Sequence, residues 1–217
     1  MPKLTHITFV KNEEHCIRNS LESVLPYVDD SYILIDDTTT DNTKYICDSM
    51  GCHTKYFKFE NFGKAWNTLL CWVSGMGGWL FSIAPDERIN KDFGEMLRPL
   101  FNQINDSEID VVGFPRRHWL DLEMKEEYTL QNWYPDYQYR GLRNDYPRIH
   151  LVNLVHEWIV GDRKRVLIKD KDIQHFNMYY KKRINYNFDE MNKLYNRLTE
   201  EQKKTGGINI WPETDTL

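Results

Sequence analysis

Basic charge is in short supply for a chain of 217 residues: 28 Lys and Arg stand against 33 Asp and Glu, a formal net charge of −5. An acidic balance argues against nucleic acid as the partner, since the phosphate backbone demands the opposite sign. Glycine (11), proline (8) and cysteine (4) are also few. The first two counts exclude a collagen-like or low-complexity chain. The cysteines, Cys16, Cys47, Cys52 and Cys71, form no C-x-x-C pair, which favours buried reduced thiols over a disulfide framework or a zinc site. No run of about 18 apolar residues occurs, so no transmembrane segment is expected. Met1-Pro2-Lys3-Leu4-Thr5-His6 lacks the basic start and apolar stretch of a signal peptide, and a cytoplasmic location is the expectation. Also missing are G-x-G-x-x-G and G-x-x-x-x-G-K-[ST], which weakens the dinucleotide and P-loop readings.

Rings are what the chain has in excess. Seven Trp, 13 Tyr and 10 Phe bring the aromatic share to 14%, and many sit in polar company, as in Asn132-Trp133-Tyr134-Pro135-Asp136-Tyr137-Gln138-Tyr139. That mixture suits a surface that stacks on flat or ring-shaped ligands. A chain of this length buries roughly 70% of the surface its unfolded form exposes, so a core forms without staples, and a single domain over 1–217 is expected.

Apolar periodicity predicts strands at Leu4–Val10, Tyr32–Ile35, Tyr56–Phe59 and Trp79–Ile83. Helices are predicted at Ile17–Leu25, from a cap at Asp41 to Gly51, and at Phe62–Trp72. Strand alternating with helix predicts an α/β fold, a mostly parallel sheet covered on both faces. Beyond residue 105 the rhythm loosens. Ile109–Phe114 reads as a strand, Arg116–Gly141 as polar and turn-rich, Val152–Val160 and Arg165–Ile168 as short strands, and Met178–Lys204 as one long amphipathic helix or two.

In open α/β sheets the ligand crevice lies beyond the carboxyl ends of the strands. The residues there are Lys11-Asn12-Glu13-Glu14, Asp36-Asp37, Phe59-Glu60-Asn61 and Ala84-Pro85-Asp86-Glu87. Carboxylates so placed accept ribose hydroxyls and hold a hard divalent cation that bridges phosphate oxygens. For Asp36 and Asp37 a second reading stands beside ribose binding, that of turn chemistry and helix capping.

The ordered blocks Ile7-Thr8-Phe9-Val10-Lys11-Asn12-Glu13-Glu14, Ile35-Asp36-Asp37-Thr38-Thr39-Thr40-Asp41, Asn61-Phe62-Gly63-Lys64-Ala65-Trp66-Asn67 and Ala84-Pro85-Asp86-Glu87 resemble family 2 glycosyltransferases of the GT-A fold. Tyr137-Gln138-Tyr139-Arg140-Gly141-Leu142-Arg143 and Val155-His156-Glu157 resemble that family's acceptor-side blocks. The resemblance covers about residues 4 to 175. It implies a Rossmann-like sheet with a nucleotide-sugar-binding half (1–105) and an irregular acceptor-binding half (106–217). It also implies inverting transfer of a sugar from a nucleotide diphosphate donor, a UDP-sugar above all, to a glycan, lipid-linked or protein acceptor, assisted by Mn²⁺ or Mg²⁺. By resemblance, Phe9, Val10, Lys11, Asn12, Glu14, Asp36, Asp37, Lys64, Asn67, Ala84 and Pro85 fall to the donor, and Asp86, the last position of the D-x-D motif, to the metal.

Two positions depart from the family pattern. Ala84 replaces the first Asp of D-x-D, and Trp66 stands where the family often has Arg, which shifts donor charge contact to Lys64. His175 occupies the place of a C-terminal metal-binding His, with an ordinary strand-end histidine as the other reading. Inversion needs a general base opposite the leaving group; Glu157 is the first candidate and Asp121 the second, while pairing of Glu157 with Arg140, Arg143 or Arg148 is the alternative. Trp119, Trp133, Tyr137, Arg140 and His156 are the expected acceptor contacts, with core packing the alternative for the two Trp. A degenerate domain that binds nucleotide or carbohydrate without turnover competes with the enzyme, on the strength of Ala84. A sugar nucleotidyltransferase would want a Gly-rich, Arg-bearing loop after the first strand, which Lys11-Asn12-Glu13-Glu14 is not.

Overall fold

A computed structural model describes residues 1–129, 134–183 and 188–205. Its centre is strand β1 (Leu4–Val10), whose side chains alternate between the two faces of the sheet. Leu4 and Val10 face helices α1 (Ile17–Val24), α2 (Thr43–Ser49) and α4 (Lys91–Ile104), while Ile7 and Phe9 face α3 (Phe62–Trp72). Strand β1 pairs in parallel with β2 (Asp30–Asp36) on one side and β4 (Trp79–Phe81) on the other, and β2 pairs in parallel with β3 (His53–Phe57). The third strand thus lies upstream of the expected Tyr56–Phe59, because its register is set by β2, Tyr32↔His53 through Asp36↔Phe57.

The second half extends the same sheet. Strand β6 (Ile109–His118) runs on past the expected Phe114, and β7 (Asp136–Arg143) inserts antiparallel between β4 and β6. Much of the stretch expected to be irregular is therefore strand. Its alternation is hidden because Arg116, Arg117, Tyr137 and Arg140 are strand residues that carry polar or charged groups into a half-buried setting. Strands β10 (Lys164–Leu167) and β11 (Ile173–His175) run parallel to β6, and β5 (Glu87–Arg88) closes the edge antiparallel to β11. The expected strand Val152–Val160 is a hairpin, β8 (His150–Val152) and β9 (Trp158–Val160), whose turn places Asn153 at φ +75° and His156 at φ +53°. The Met178–Lys204 region holds two helices, α5 (Asn177–Arg183) and α6 (Phe188–Thr205). Helix α4 is amphipathic despite Gly94 and Pro99, the residues that obscure it to pattern reading. No described helix is long and apolar enough to cross a membrane.

Candidate active site

A cleft of about 790 Å³ opens beyond the carboxyl ends of β1, β2 and β4, the position that the topology of an open α/β sheet dictates. One end is aromatic, with Phe9, Phe57, Phe59, Phe62 and Trp66 facing Met191, Leu194 and Tyr195 of α6. Ring contacts of 5.1 Å (Phe9–Trp66, Phe59–Phe62) and 5.4 Å (Phe62–Tyr195) make this end continuous. The other end is polar: Glu13, His15, Asp86, Asn177, Tyr180 and Lys181. Ile83, Ala84, Pro85 and Arg140 lie on the cleft surface as well.

The two loops after β1 and β2 are stitched together. Asn12, at φ +53°, accepts a hydrogen bond from Thr40 N (2.9 Å), Glu13 N donates to Thr43 Oγ1 (2.7 Å), and Glu14 N donates to Asp41 Oδ2 (3.0 Å). The Glu14 carboxylate accepts from the backbone and side chain of Asn42, and Glu14 is not on the cleft surface, whereas its neighbour Glu13 is. Asp36 is buried at the cleft, its Oδ1 accepting from Thr38 N (2.8 Å) and its Oδ2 4.0 Å from the Lys11 ammonium. Asp37 is exposed and outside the cleft lining. The expected cap Asp41 sits one residue before the observed N-cap, Asn42, and accepts from Thr43 N and Oγ1.

Register explains how distant residues meet at Asp86. The β5–β11 pairing sets His175 opposite Glu87, and the β6–β11 pairing sets it beside His118. His175 Nε2 lies 3.3 Å from Asp86 Oδ2, His175 Nδ1 lies 2.9 Å from His118 Nδ1, and His118 Nε2 lies 3.0 Å from Asp136 Oδ2. Asp136 also receives Arg116 Nη2 at 2.7 Å. Adjacent Glu87 is fully buried and held by Arg116 Nη1 (3.0 Å), Arg140 Nη2 (2.5 Å) and Ala84 N (2.8 Å). Its carboxylate therefore shapes the Ala84–Glu87 turn.

Burial opposes ionisation of Asp86, yet the attraction of His175, Arg116 and the Asn177 amide outweighs it and holds the carboxyl well below its usual range. Burial likewise lowers His175 while Asp86 pulls it back up. Asp136 is held low too; in the tautomer in which it accepts from His118 Nε2–H, His118 Nδ1 accepts from His175 Nδ1–H. That tautomer turns the His175 Nε2 lone pair toward Asp86 Oδ2, the arrangement in which both can ligate a cation. The 3.3 Å between them is close to the roughly 3 Å that separates adjacent ligands of an octahedral cation with bonds of about 2.1 Å. Asp86 and His175 thus fit a divalent metal, and an N/O donor pair suits Mn²⁺. Nothing local in the sequence signals His118, 57 residues from its partner.

The remaining expected residues divide. Glu157 is half-buried, and burial pushes its carboxyl up to about 7 against the pull of Arg140. It is not itself on the cleft surface; Arg140 and Tyr195, which are, both feel its charge. Of the arginines that could have claimed it, Arg143 and Arg148 bind the buried Asp110 instead. Asp121 accepts from Lys125 N and Glu126 N, closing its own turn, and lines no part of the cleft. Trp119 donates through Nε1 to Gln174 (2.6 Å) and packs beside Cys16, Phe176 and Tyr180, while Tyr137 lies in β7 opposite Pro115; both are off the cleft surface. His156 is exposed, its ring 5.9 Å from that of Tyr195. Trp133 lies outside the described residues. Lys64 pairs with Glu60 (2.6 Å) in the exposed first turn of α3, and Asn67 exchanges two hydrogen bonds with the Leu151 backbone. Neither lines the cleft; Asn67 ties α3 to β8.

Residues 5–164 match the family described as Glycosyl transferase family 2. No curated protein matches the chain. Among solved structures, a mycobacterial protein is similar with a TM-score of 0.58 at 14% identity, over 81% of this chain and 68% of that one. The S. aureus TarS 1–349 structure follows with a TM-score of 0.53 and 17% identity, over 80% and 60%. Glucosyl-3-phosphoglycerate synthase from Mycobacterium tuberculosis, in complex with Mn²⁺, UDP and glucosyl-3-phosphoglycerate, matches at 20% identity with a TM-score of 0.43, over 52% of this chain and less than half, 43%, of its own.

Proposed function

Because the chain belongs to glycosyl transferase family 2, we propose that it moves a sugar, with inversion, from a nucleoside diphosphate donor to an acceptor hydroxyl, and that the donor is a UDP-sugar. The observation that carries this reading is the approach of His175 Nε2 to within 3.3 Å of Asp86 Oδ2, Asp86 itself lining the polar end of the strand-end cleft. Asp86 and His175 would hold Mn²⁺ or Mg²⁺, whose charge, when bound, offsets the negative charge that builds on the departing diphosphate.

The rest of the work falls to this chain's own groups. Buried Asp36, fixed by Thr38, is an acceptor for ribose hydroxyls beside the backbone of Phe9 to Asn12. The aromatic end offers faces for a base or for the C–H face of a sugar. Glu157 lies off the cleft surface within electrostatic reach of Arg140 and Tyr195, which line it; raised to about 7 by burial, it would serve as the base near neutral pH once an acceptor hydroxyl reaches it, with Arg140 orienting the acceptor. Glycan, lipid-linked and protein acceptors all present the hydroxyl this step needs.

Ala84, which leaves one carboxylate where the family pattern has two, favours a second reading, a domain that binds nucleotide or carbohydrate without turnover. Titration calorimetry with UDP, with and without Mn²⁺, followed by incubation with UDP-, GDP- and dTDP-sugars, separates the two. Sugar released from at least one donor in a metal-dependent manner supports the enzyme. Nucleotide binding with no sugar released from any donor overturns it in favour of the binding domain.

A further inference from the structure

Helix α5 follows directly on β11, the strand that ends in His175. It is anchored by Tyr180, a buried residue whose hydroxyl meets Arg88 Nη2 at 2.6 Å and Asn19 Nδ2 at 3.3 Å, and whose ring abuts His15 and Phe176. With Tyr180 fixed, the face carrying Asn177 and Lys181, four residues apart, is turned to the cleft. Asn177 bonds the Asp86 side chain, and Lys181 is within electrostatic reach of both Asp86 and Glu13.

We propose that Lys181 is a diphosphate-binding residue, a fixed cation that takes over part of the leaving-group neutralisation left to one carboxylate and its metal by Ala84. The inference rests on the nucleotide-sugar reading of this same cleft. In the transfer step the acceptor oxygen bonds to the anomeric carbon, its proton passes to the base, and the carbon–oxygen bond to the diphosphate breaks with the electron pair remaining on the β-phosphate oxygen. Lys181 meets that oxygen's charge with an ammonium that no metal concentration controls. The placement gives a use to one residue of the basic run Lys181-Lys182-Arg183. Lys182 is exposed, whereas Lys181 turns inward. Burial lowers the Lys181 ammonium from its ordinary value while Asp86 and Glu13 pull it back up.

The test is titration of wild type, Lys181→Met and Lys181→Arg with UDP, uridine and inorganic pyrophosphate, each in EDTA and in Mn²⁺. In EDTA, Lys181→Met should weaken UDP and pyrophosphate about tenfold or more, the worth of one hydrogen bond to a charged group. Lys181→Arg should recover most of the loss, and uridine affinity should not change. Equal weakening of uridine and UDP by Lys181→Met would assign the residue a structural part and overturn the proposal, as would UDP binding untouched by the substitution. Wild-type protein that binds pyrophosphate through Lys181 but not UDP would overturn the nucleotide reading and leave the lysine's role standing. Wild-type protein that binds no phosphate compound would overturn both.

Discussion

His118→Phe isolates the contribution of the buried imidazole pair. The substitution removes the acceptor for His175 Nδ1–H, 2.9 Å away, and replaces it with a ring of similar shape. Asp136 is not orphaned, because Arg116 (2.7 Å) and Gln138 (2.7 Å) still serve it. The cost therefore falls on His175, whose proton is free to move from Nδ1 to Nε2 and donate to Asp86. In that tautomer the nitrogen facing Asp86 has no lone pair for a metal. Loss of an outer partner of a metal-binding histidine typically weakens metal affinity 10- to 100-fold, about 1.4 to 2.7 kcal/mol. The assay is Mn²⁺ titration followed by the electron paramagnetic resonance signal of free Mn²⁺, with ¹⁵N chemical shifts of His175 reporting the tautomer. Global stability should fall by about 1 to 3 kcal/mol for the buried His175 Nδ1 left without a partner, which urea unfolding measures separately. A folded variant with unchanged Mn²⁺ affinity and unchanged His175 tautomer would refute the relay.

Asp86→Ala should abolish metal-dependent transfer while leaving the urea midpoint near that of wild type, since the side chain serves the cleft and not the packing; turnover at the wild-type rate would remove Asp86 from the reaction. For Glu157, whose carboxyl is raised to about 7, the base form is lost as pH falls, so kcat/KM should rise through about pH 7 and level off above it. Glu157→Gln should remove that limb and lower kcat far more than donor affinity, and an equal loss of both would mark a structural part. At Gly63 a Cβ would lie 2.2 Å from the Asn153 carbonyl oxygen, so Gly63→Ala should push α3 off the turn that leads to Glu157 and destabilise by about 1 to 3 kcal/mol, seen as a lower urea midpoint; a midpoint unchanged would show that the turn yields freely.

The aromatic excess has two destinations. Phe81, Phe93, Phe101 and Phe114 are fully buried and build the core beneath α4. Phe9, Phe57, Phe59, Phe62, Trp66 and Tyr195 line one end of the cleft, although all but Tyr195 come from the half of the chain that looks regular in sequence. The segment that looks most like a stacking surface, around Tyr137 and Tyr139, is instead strand β7, with Tyr139 packed against the α3-side core.

Local pattern was enough to place β1, α1 and α3 almost residue by residue, because period-2 and period-3.6 burial are properties of neighbouring side chains. It was also enough to put Asp36 and Asp86 at strand ends, and so at the crevice, because a parallel sheet aligns those ends. Family resemblance added His175 and Glu157 as candidates. Only tertiary structure decided which of several carboxylates face the cleft. Glu14 turns to Asn42, Asp121 to its own turn and Glu87 to two arginines, while Glu13 and Asp86 remain on the surface of the site. The same holds for His118, Asp136 and Lys181. Their neighbours are set by β6–β7 and β6–β11 registers and by the anchoring of α5, pairings between segments tens of residues apart that leave no trace in local periodicity.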